Sequence, residues 1–160
     1  MREQILNYIE TNARVDMKEL AVILGMDEID VINEISAMET EGVICGYHTL
    51  IDWDKVTQEK VQALIEVRVT PQRGKGFDDI AERIYKYPEV KSTYLISGAY
   101  DLLILMEGKT LREISSFVSE KLSTLDSVIS TATHFVLRKY KDNGTILHKE
   151  YDDERIMMTL

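Results

Sequence analysis

The stretch "VKSTYLISGAYDLLILMEG" (residues 90–108) decides the fold. Two apolar, β-branched runs, "VKSTYLIS" and "YDLLILME", flank the small residues "SGA", a composition that reads as two strands paired in a hairpin. Upstream, "VQALIEVRV" sets Val61, Ala63, Ile65, Val67 and Val69 on one face and Gln62, Glu66 and Arg68 on the other, the period of a strand with one buried side. "PQRGKG" breaks that strand, and Phe77, Ile80, Ala81 and Ile84 then make a helical stripe that stops before Pro88. Downstream, Thr110 and Glu113 make a capping box that opens a helix with Leu111, Ile114, Phe117, Val118 and Leu122 inward. "SVISTATHFVL" is β-branched and closes the series as a strand. The order β-α-β-β-α-β over residues 61–141 predicts a ferredoxin-like domain, two helices on one face of a four-stranded antiparallel sheet. "LLIL" and the last strand are apolar on both sides, so the second sheet face needs a cover, and another copy of the chain is the economical candidate.

Residues 1–52 follow the helical period instead. Ile5, Leu6 and Ile9 mark a short helix ending around Asn12. Asp16, with Glu19 three residues on, caps a second helix through Leu20, Ala21 and Leu24, closed by Gly25. Asp27 caps a third, whose Val31, Ile35 and Met38 share one face before Gly42. Three short helices with a tight turn between the second and third predict a helix-turn-helix, and "VICGYHTLID" alternates well enough for a short strand or wing. The fold class expected is therefore α+β: an N-terminal winged helix-turn-helix (1–52), a polar linker (53–60), the βαββαβ domain (61–141) and a charged tail (142–160) with "DNG" as a turn.

Composition narrows the function classes. The chain has 160 residues, 44% apolar and 29% charged, which is ordinary globular composition. The single Cys45 excludes an internal disulfide and a multi-cysteine metal cage, and points to a reducing cytoplasm. No run approaches the roughly 20 apolar residues of a membrane span, and the start is polar and helical where a signal peptide would be apolar. Net charge is −9, and residues 1–55 hold twelve acids against four basic residues. The third helix contains no Lys or Arg, so a reading helix rich in Glu and Asp stands against the phosphates it would have to approach.

The turn "LGMD", the closing "EGVICGY", and then "VKSTYLISGAYDLLILMEG" and "LSTLDSVISTATHFVL" together resemble the Lrp/AsnC (feast/famine) transcriptional regulators, over roughly residues 1–141. The most specific pieces are the Gly-x-Tyr-Asp turn at Gly98, Tyr100 and Asp101 and the strand with Thr131 and Thr133. The resemblance implies a RAM-type second domain that dimerises through its sheet, dimers that assemble into octamers, and a small effector, usually an amino acid, bound between dimers near that turn. The expected effector residues are Ser97, Gly98, Ala99, Tyr100, Asp101, Thr131 and Thr133. Gly98 would let backbone N–H groups meet a carboxylate while Asp101 accepts an ammonium; read without the resemblance, Ser-Gly-Ala is equally good chemistry for a plain hairpin turn. The expected DNA contacts are Lys18, Glu28, Asn33, Glu34, Ser36 and Ala37, with Arg2 and Arg14 also meeting phosphates. The family's third helix usually carries basic residues where this chain has Asn33, Glu34, Ser36 and Ala37, and its cap is usually Ser where this chain has Asp27.

His48, His134 and His148 show no metal-ligand spacing, Cys45 reads as a small buried residue, and no nucleophile–base pair or phosphate loop can be assembled, so no cofactor and no catalysis are expected. Two readings remain. One is a ligand-responsive DNA-binding regulator of amino-acid metabolism; the other is a sensor of the same fold that binds an effector or a paralogue and has lost DNA binding. An enzyme-regulatory βαββαβ domain would leave the helix-turn-helix unexplained.

Overall fold

The computed structural model describes residues 1–56, 60–71, 73–74 and 76–147, so the expected tail packing beyond residue 147, and His148, lie outside the described residues. The chain divides into two compact units, Met1–Ile51 and Asp52–Leu160.

In the first unit, α1 (Arg2–Thr11), α2 (Met17–Leu24) and α3 (Glu28–Thr40) enclose Ile5, Leu20, Ala21, Val31, Ile35 and Met38. The local chemistry is what the sequence anticipates. Asp16 accepts the Lys18 and Glu19 N–H groups at 2.8 and 3.2 Å, Asp27 accepts that of Ile29 at 2.9 Å, and Gly25 closes α2 in the left-handed region at φ 66°. Two expectations fail here. Residues 43–52 form no strand, because within this unit the segment has no paired neighbour to satisfy its backbone; it is held by Val43 and Ile44 N–H groups donating to the Met38 carbonyl and by the Tyr47 hydroxyl donating to Glu39 at 2.8 Å. Cys45 is exposed rather than buried, its thiol donating to the Gly42 carbonyl at 3.1 Å.

The second unit is a four-stranded sheet of β1 (Val61–Val69), β2 (Val90–Leu95), β3 (Leu102–Gly108) and β4 (Val128–Phe135), in the order β2-β3-β1-β4, every neighbouring pair antiparallel. That is the ferredoxin-like order read from the sequence. α4 (Asp78–Tyr85) and α5 (Leu111–Phe117, continued by a π turn to Leu122) cover one face, where Ala63, Ile65, Val67, Leu102, Ile104 and Met106 meet Ile80, Ile84, Ile114, Phe117 and Leu122. Thr110 caps α5 by accepting the Glu113 N–H at 3.1 Å, while the Glu113 carboxylate accepts the Lys109 N–H at 2.7 Å. Leu111, expected inward, is exposed at the first helical position of α5.

The opposite sheet face is mixed. Leu64, Leu103 and Leu105 are half-buried beside Gln62, Glu66 and Glu107, and on β4 the facing residues are Ser130, Ala132 and His134. The last strand is thus not apolar on both sides; its β-branched character comes partly from threonines, which alternate with small or polar residues. Glu66 and His134 lie 3.3 Å apart across β1 and β4. A small hairpin, β5 (Lys141–Asp142) with β6 (Thr145–Ile146), turns on Asn143 and Gly144, both at positive φ, as "DNG" predicts.

Candidate functional site

The "SGAYD" segment caps the end of the sheet where β2 turns into β3. The turn is anchored rather than loose: Ile96 N–H donates to the Asp101 carbonyl at 2.8 Å, Asp101 N–H donates to the Val67 carbonyl at 3.0 Å, and the Arg68 guanidinium donates to the Ala99 carbonyl at 2.9 Å. The Asp101 carboxylate has a partner already, since it accepts the Val69 N–H at 2.9 Å. A β-bulge breaks the β1–β4 register at Arg68 and Val69, and Asp101 takes up a donor at that irregularity. One carboxylate oxygen thus serves as a clamp on β1, a structural role that the sequence reading, which assigned Asp101 to a ligand's ammonium, did not anticipate. Arg68, which the sequence reading treated only as a solvent-facing residue of β1, is the other clamp.

The clamps leave Ser97, Gly98 and Ala99 exposed and Tyr100 half-buried. Gly98 does not have positive φ, and a Cβ there would meet only the Ile96 side chain, at 3.8 Å, so neither backbone strain nor crowding within the chain demands glycine. Thr131 pairs with Val67 and Thr133 with Ile65, which puts both half-buried threonines on the helix-covered side of edge strand β4. The structure therefore brings Thr131 and Asp101 to the same residue of β1 but on opposite sides of it, two strand spacings or about 10 Å apart. A pocket of about 50 Å³ at this end of the sheet is lined by Thr70, Gly76, Asp79, Ile80, Arg83 and Ser127, none of them a residue of the turn.

In the first unit the structure rearranges the charges that made α3 look unsuited to DNA. Arg2 on α1 donates to Glu34 and, through both terminal nitrogens, to Glu41 at 2.6 and 2.8 Å. Glu34 is half-buried, its side chain only 18% exposed. These contacts hold the Glu41 carboxyl below its ordinary value near 4.5 and raise the guanidinium further above its own. Of the residues expected to meet DNA, Lys18, Glu28, Asn33 and Ser36 are exposed, whereas Glu34 is paired, Ala37 is half-buried and the phosphate contact expected of Arg2 is consumed internally. Glu39 is likewise engaged, by Tyr47, whose phenol is pushed up by desolvation and by that carboxylate. The residues overlooked in sequence are Ile29 and Ile32, exposed on α3, and Val22 and Ile23, exposed on α2; on α3 the signal available was phase, Ile29 lying nearly half a turn and Ile32 about a quarter turn from the face of Val31, Ile35 and Met38.

Among the described residues no group of His, Cys, Asp and Glu could hold a metal ion, and no helix is long and apolar enough to cross a membrane.

Comparison with known proteins agrees with this architecture. Residues 62–146 match the Lrp/AsnC ligand binding domain. The chain is 46% identical over 157 residues to the uncharacterized HTH-type transcriptional regulator YugG of Bacillus subtilis, covering 98% of this chain and 95% of that one. It is 30% identical over 134 residues to the proline dehydrogenase transcriptional activator of Rhodobacter capsulatus, covering 84% and 86%. A transcriptional regulator of Neisseria meningitidis, solved as its L-Met complex, superimposes with a TM-score of 0.71 at 24% identity over 88% of this chain and 90% of that one. AsnC of E. coli does so with a TM-score of 0.68 at 21% identity over 92% and 96%, a likeness of fold. With a matched ligand-binding domain behind a three-helix unit, and with relatives aligned along nearly its whole length, the chain belongs to the Lrp/AsnC family of transcriptional regulators.

Proposed function

We propose that the protein is a DNA-binding regulator of amino-acid metabolism, with α2 and α3 as its helix-turn-helix and the "SGAYD" turn as half of an effector site. The observation that carries the reading is the conjunction, in one chain, of a solvent-open turn clamped rigidly by Asp101 and Arg68 with a three-helix unit whose α3 keeps its cation-paired acids to one side. The effector is a free amino acid, a reading supported by the relative that activates proline dehydrogenase transcription and by the structural relative solved with L-Met. Exposed backbone at Ser97, Gly98 and Ala99 meets its carboxylate. Because Thr131 and Thr133 lie about 10 Å across β1 from the turn, the ligand touches the turn of one copy and the threonines of another, which makes the assembly, a dimer or an octamer, part of the site. Linker and tail, residues 53–60 and 142–160, flank the βαββαβ domain, and a regulator that meets DNA works in the cytoplasm.

The acid excess of residues 1–55 favours a second reading, a sensor of the same fold that no longer binds DNA. One experiment separates them. The full-length protein is titrated with the twenty amino acids by calorimetry, then tested for retardation of mixed-sequence duplex DNA at low salt, with and without the ligand found. Retardation that the ligand modulates supports the regulator; ligand binding with no retardation at any salt supports the sensor. Stable monomers by light scattering would remove the shared effector site.

A further inference from the structure

Resting on the helix-turn-helix reading, we propose that Ile29 and Ile32 read thymine methyl groups and Asn33 reads adenine, so that the half-site contacted by α3 is a run of A·T pairs.

At 100° per residue, the side of α3 opposite Val31, Ile35 and Met38 is occupied by Ile29, Asn33, Ser36 and Thr40, spaced i, i+4, i+7 and i+11, with Ile32 beside them. No member of that stripe is charged. Asp30 and Glu34 fall on one flank and Glu28 and Glu39 on the other; Glu34 is neutralised by Arg2, Glu39 receives Tyr47, and Glu28 sits in the first turn, where the helix dipole favours an anion. The stripe itself is thus uncharged, with the exposed acids Glu28, Asp30 and Glu39 confined to its flanks.

What the stripe does offer is specific. Ile29 is 67% exposed and Ile32 41%, and Val22, 76% exposed, lies on α2 just across the Gly25–Asp27 turn. With Ile23, 51% exposed, this is an aliphatic set left in solvent on the two helices that flank one turn. Its interleaving with Asn33 and Ser36 suits a base edge better than a protein groove, which would favour an unbroken apolar face. In the major groove an A·T pair presents a C5-methyl beside one donor and two acceptors, and asparagine is the side chain that bonds adenine N6 and N7 together. A G·C pair is most often read by Arg or Lys, and α3 has neither. Successive stripe positions rise about 6 Å along the helix, close to two base steps of about 3.4 Å, so Ile29 and Asn33 fall on pairs of one short half-site.

The test uses the full-length protein and a random duplex pool enriched through rounds of binding. The winning duplex is synthesised again with deoxyuridine for thymine, which deletes only the methyl, and with 7-deaza-adenine, which deletes N7. The expected result is an A·T core, a loss of about fourfold in affinity per contacted methyl, and a smaller deoxyuridine penalty for Ile29→Ala, whose fold is checked by circular dichroism; Asn33→Ala should in turn lose the 7-deaza penalty. A core without A·T pairs overturns the proposal, as does equal binding of thymine and deoxyuridine duplexes or an undiminished penalty in Ile29→Ala. If Ile29→Ala instead changes assembly mass by light scattering while DNA affinity is unchanged, the patch is a contact between copies and the proposal fails. A wild-type protein that retards no duplex at low salt fails the regulator reading itself, and is distinguishable from these.

Discussion

Six buried apolar side chains hold Met1–Ile51 together, while thirteen hold the sheet with α4 and α5. A unit of some fifty residues buries a small share of its surface, so charge pairs and anything that binds it weigh more in its stability than they do in the sheet domain. The two units also place their unusual residues differently. The first keeps aliphatic side chains outside and spends one of its two arginines, Arg2, inside a charge cluster; the second spends an aspartate and an arginine on bracing one turn. In each, the residue that looks ready to meet a partner is already occupied by the chain itself.

The largest effect should come from the larger core. Ile104→Ala, at the fully buried centre of β3, should cost about 2–5 kcal/mol and lower the thermal midpoint of the sheet domain while leaving the helical signal of the first unit in place. If both units melted together in calorimetry, the contrast between them would dissolve. Next is the clamp. Asp101→Ala should cost about 1–2 kcal/mol by leaving the Val69 N–H unpaired, whereas Asp101→Asn keeps an acceptor and most of that stability. Effector affinity measured on the Asn variant sharpens the point, because a clamp role predicts it unchanged and an ammonium-binding role predicts a loss of tenfold or more.

A smaller effect attaches to the charge cluster. Arg2 holds the Glu41 carboxyl below 4.5, so its contribution is present above that ordinary value and is lost as pH falls through the lowered pKa. The first unit should therefore weaken on acidification below about pH 4.5, and Arg2→Ala should be less stable at neutral pH yet show a shallower acid loss, read from denaturation midpoints at stepped pH. Equal acid sensitivity in both proteins would place the titrating group elsewhere. Smallest is Gly98→Ala, which meets only Ile96 at ordinary contact distance and should change stability by less than about 0.5 kcal/mol. A fall in effector affinity with stability intact would then mark the turn as ligand contact.

Periodicity carried most of the architecture. Alternation in "VQALIEVRV" put Ala63, Ile65 and Val67 in the core, the 3.6-residue stripe did the same for Ile80 and Ile84, and Asp16, Asp27 and Thr110 cap helices where their side-chain chemistry says they should. Element order then implied the sheet order, since two β-α-β halves folded antiparallel leave β1 and β3 in the middle. These features are legible because each depends on neighbours within a turn or a strand. Residues 43–52 and Leu111 were misjudged for the complementary reason, that alternation and helical phase state which side chains could be buried without stating whether a partner surface exists.

What the sequence by itself determined is the order and type of the elements, their caps and the apolar faces, all consequences of local geometry. The tertiary structure alone decided which charged groups remain available. Arg2 finds Glu34 and Glu41 across 32 and 39 residues, Asp101 finds the Val69 N–H across 32, and Arg68 finds the Ala99 carbonyl across 31. No local pattern encodes those pairings, because they form only when separate helices or strands pack side by side, where a polar group withdrawn from water is penalised unless it finds a partner.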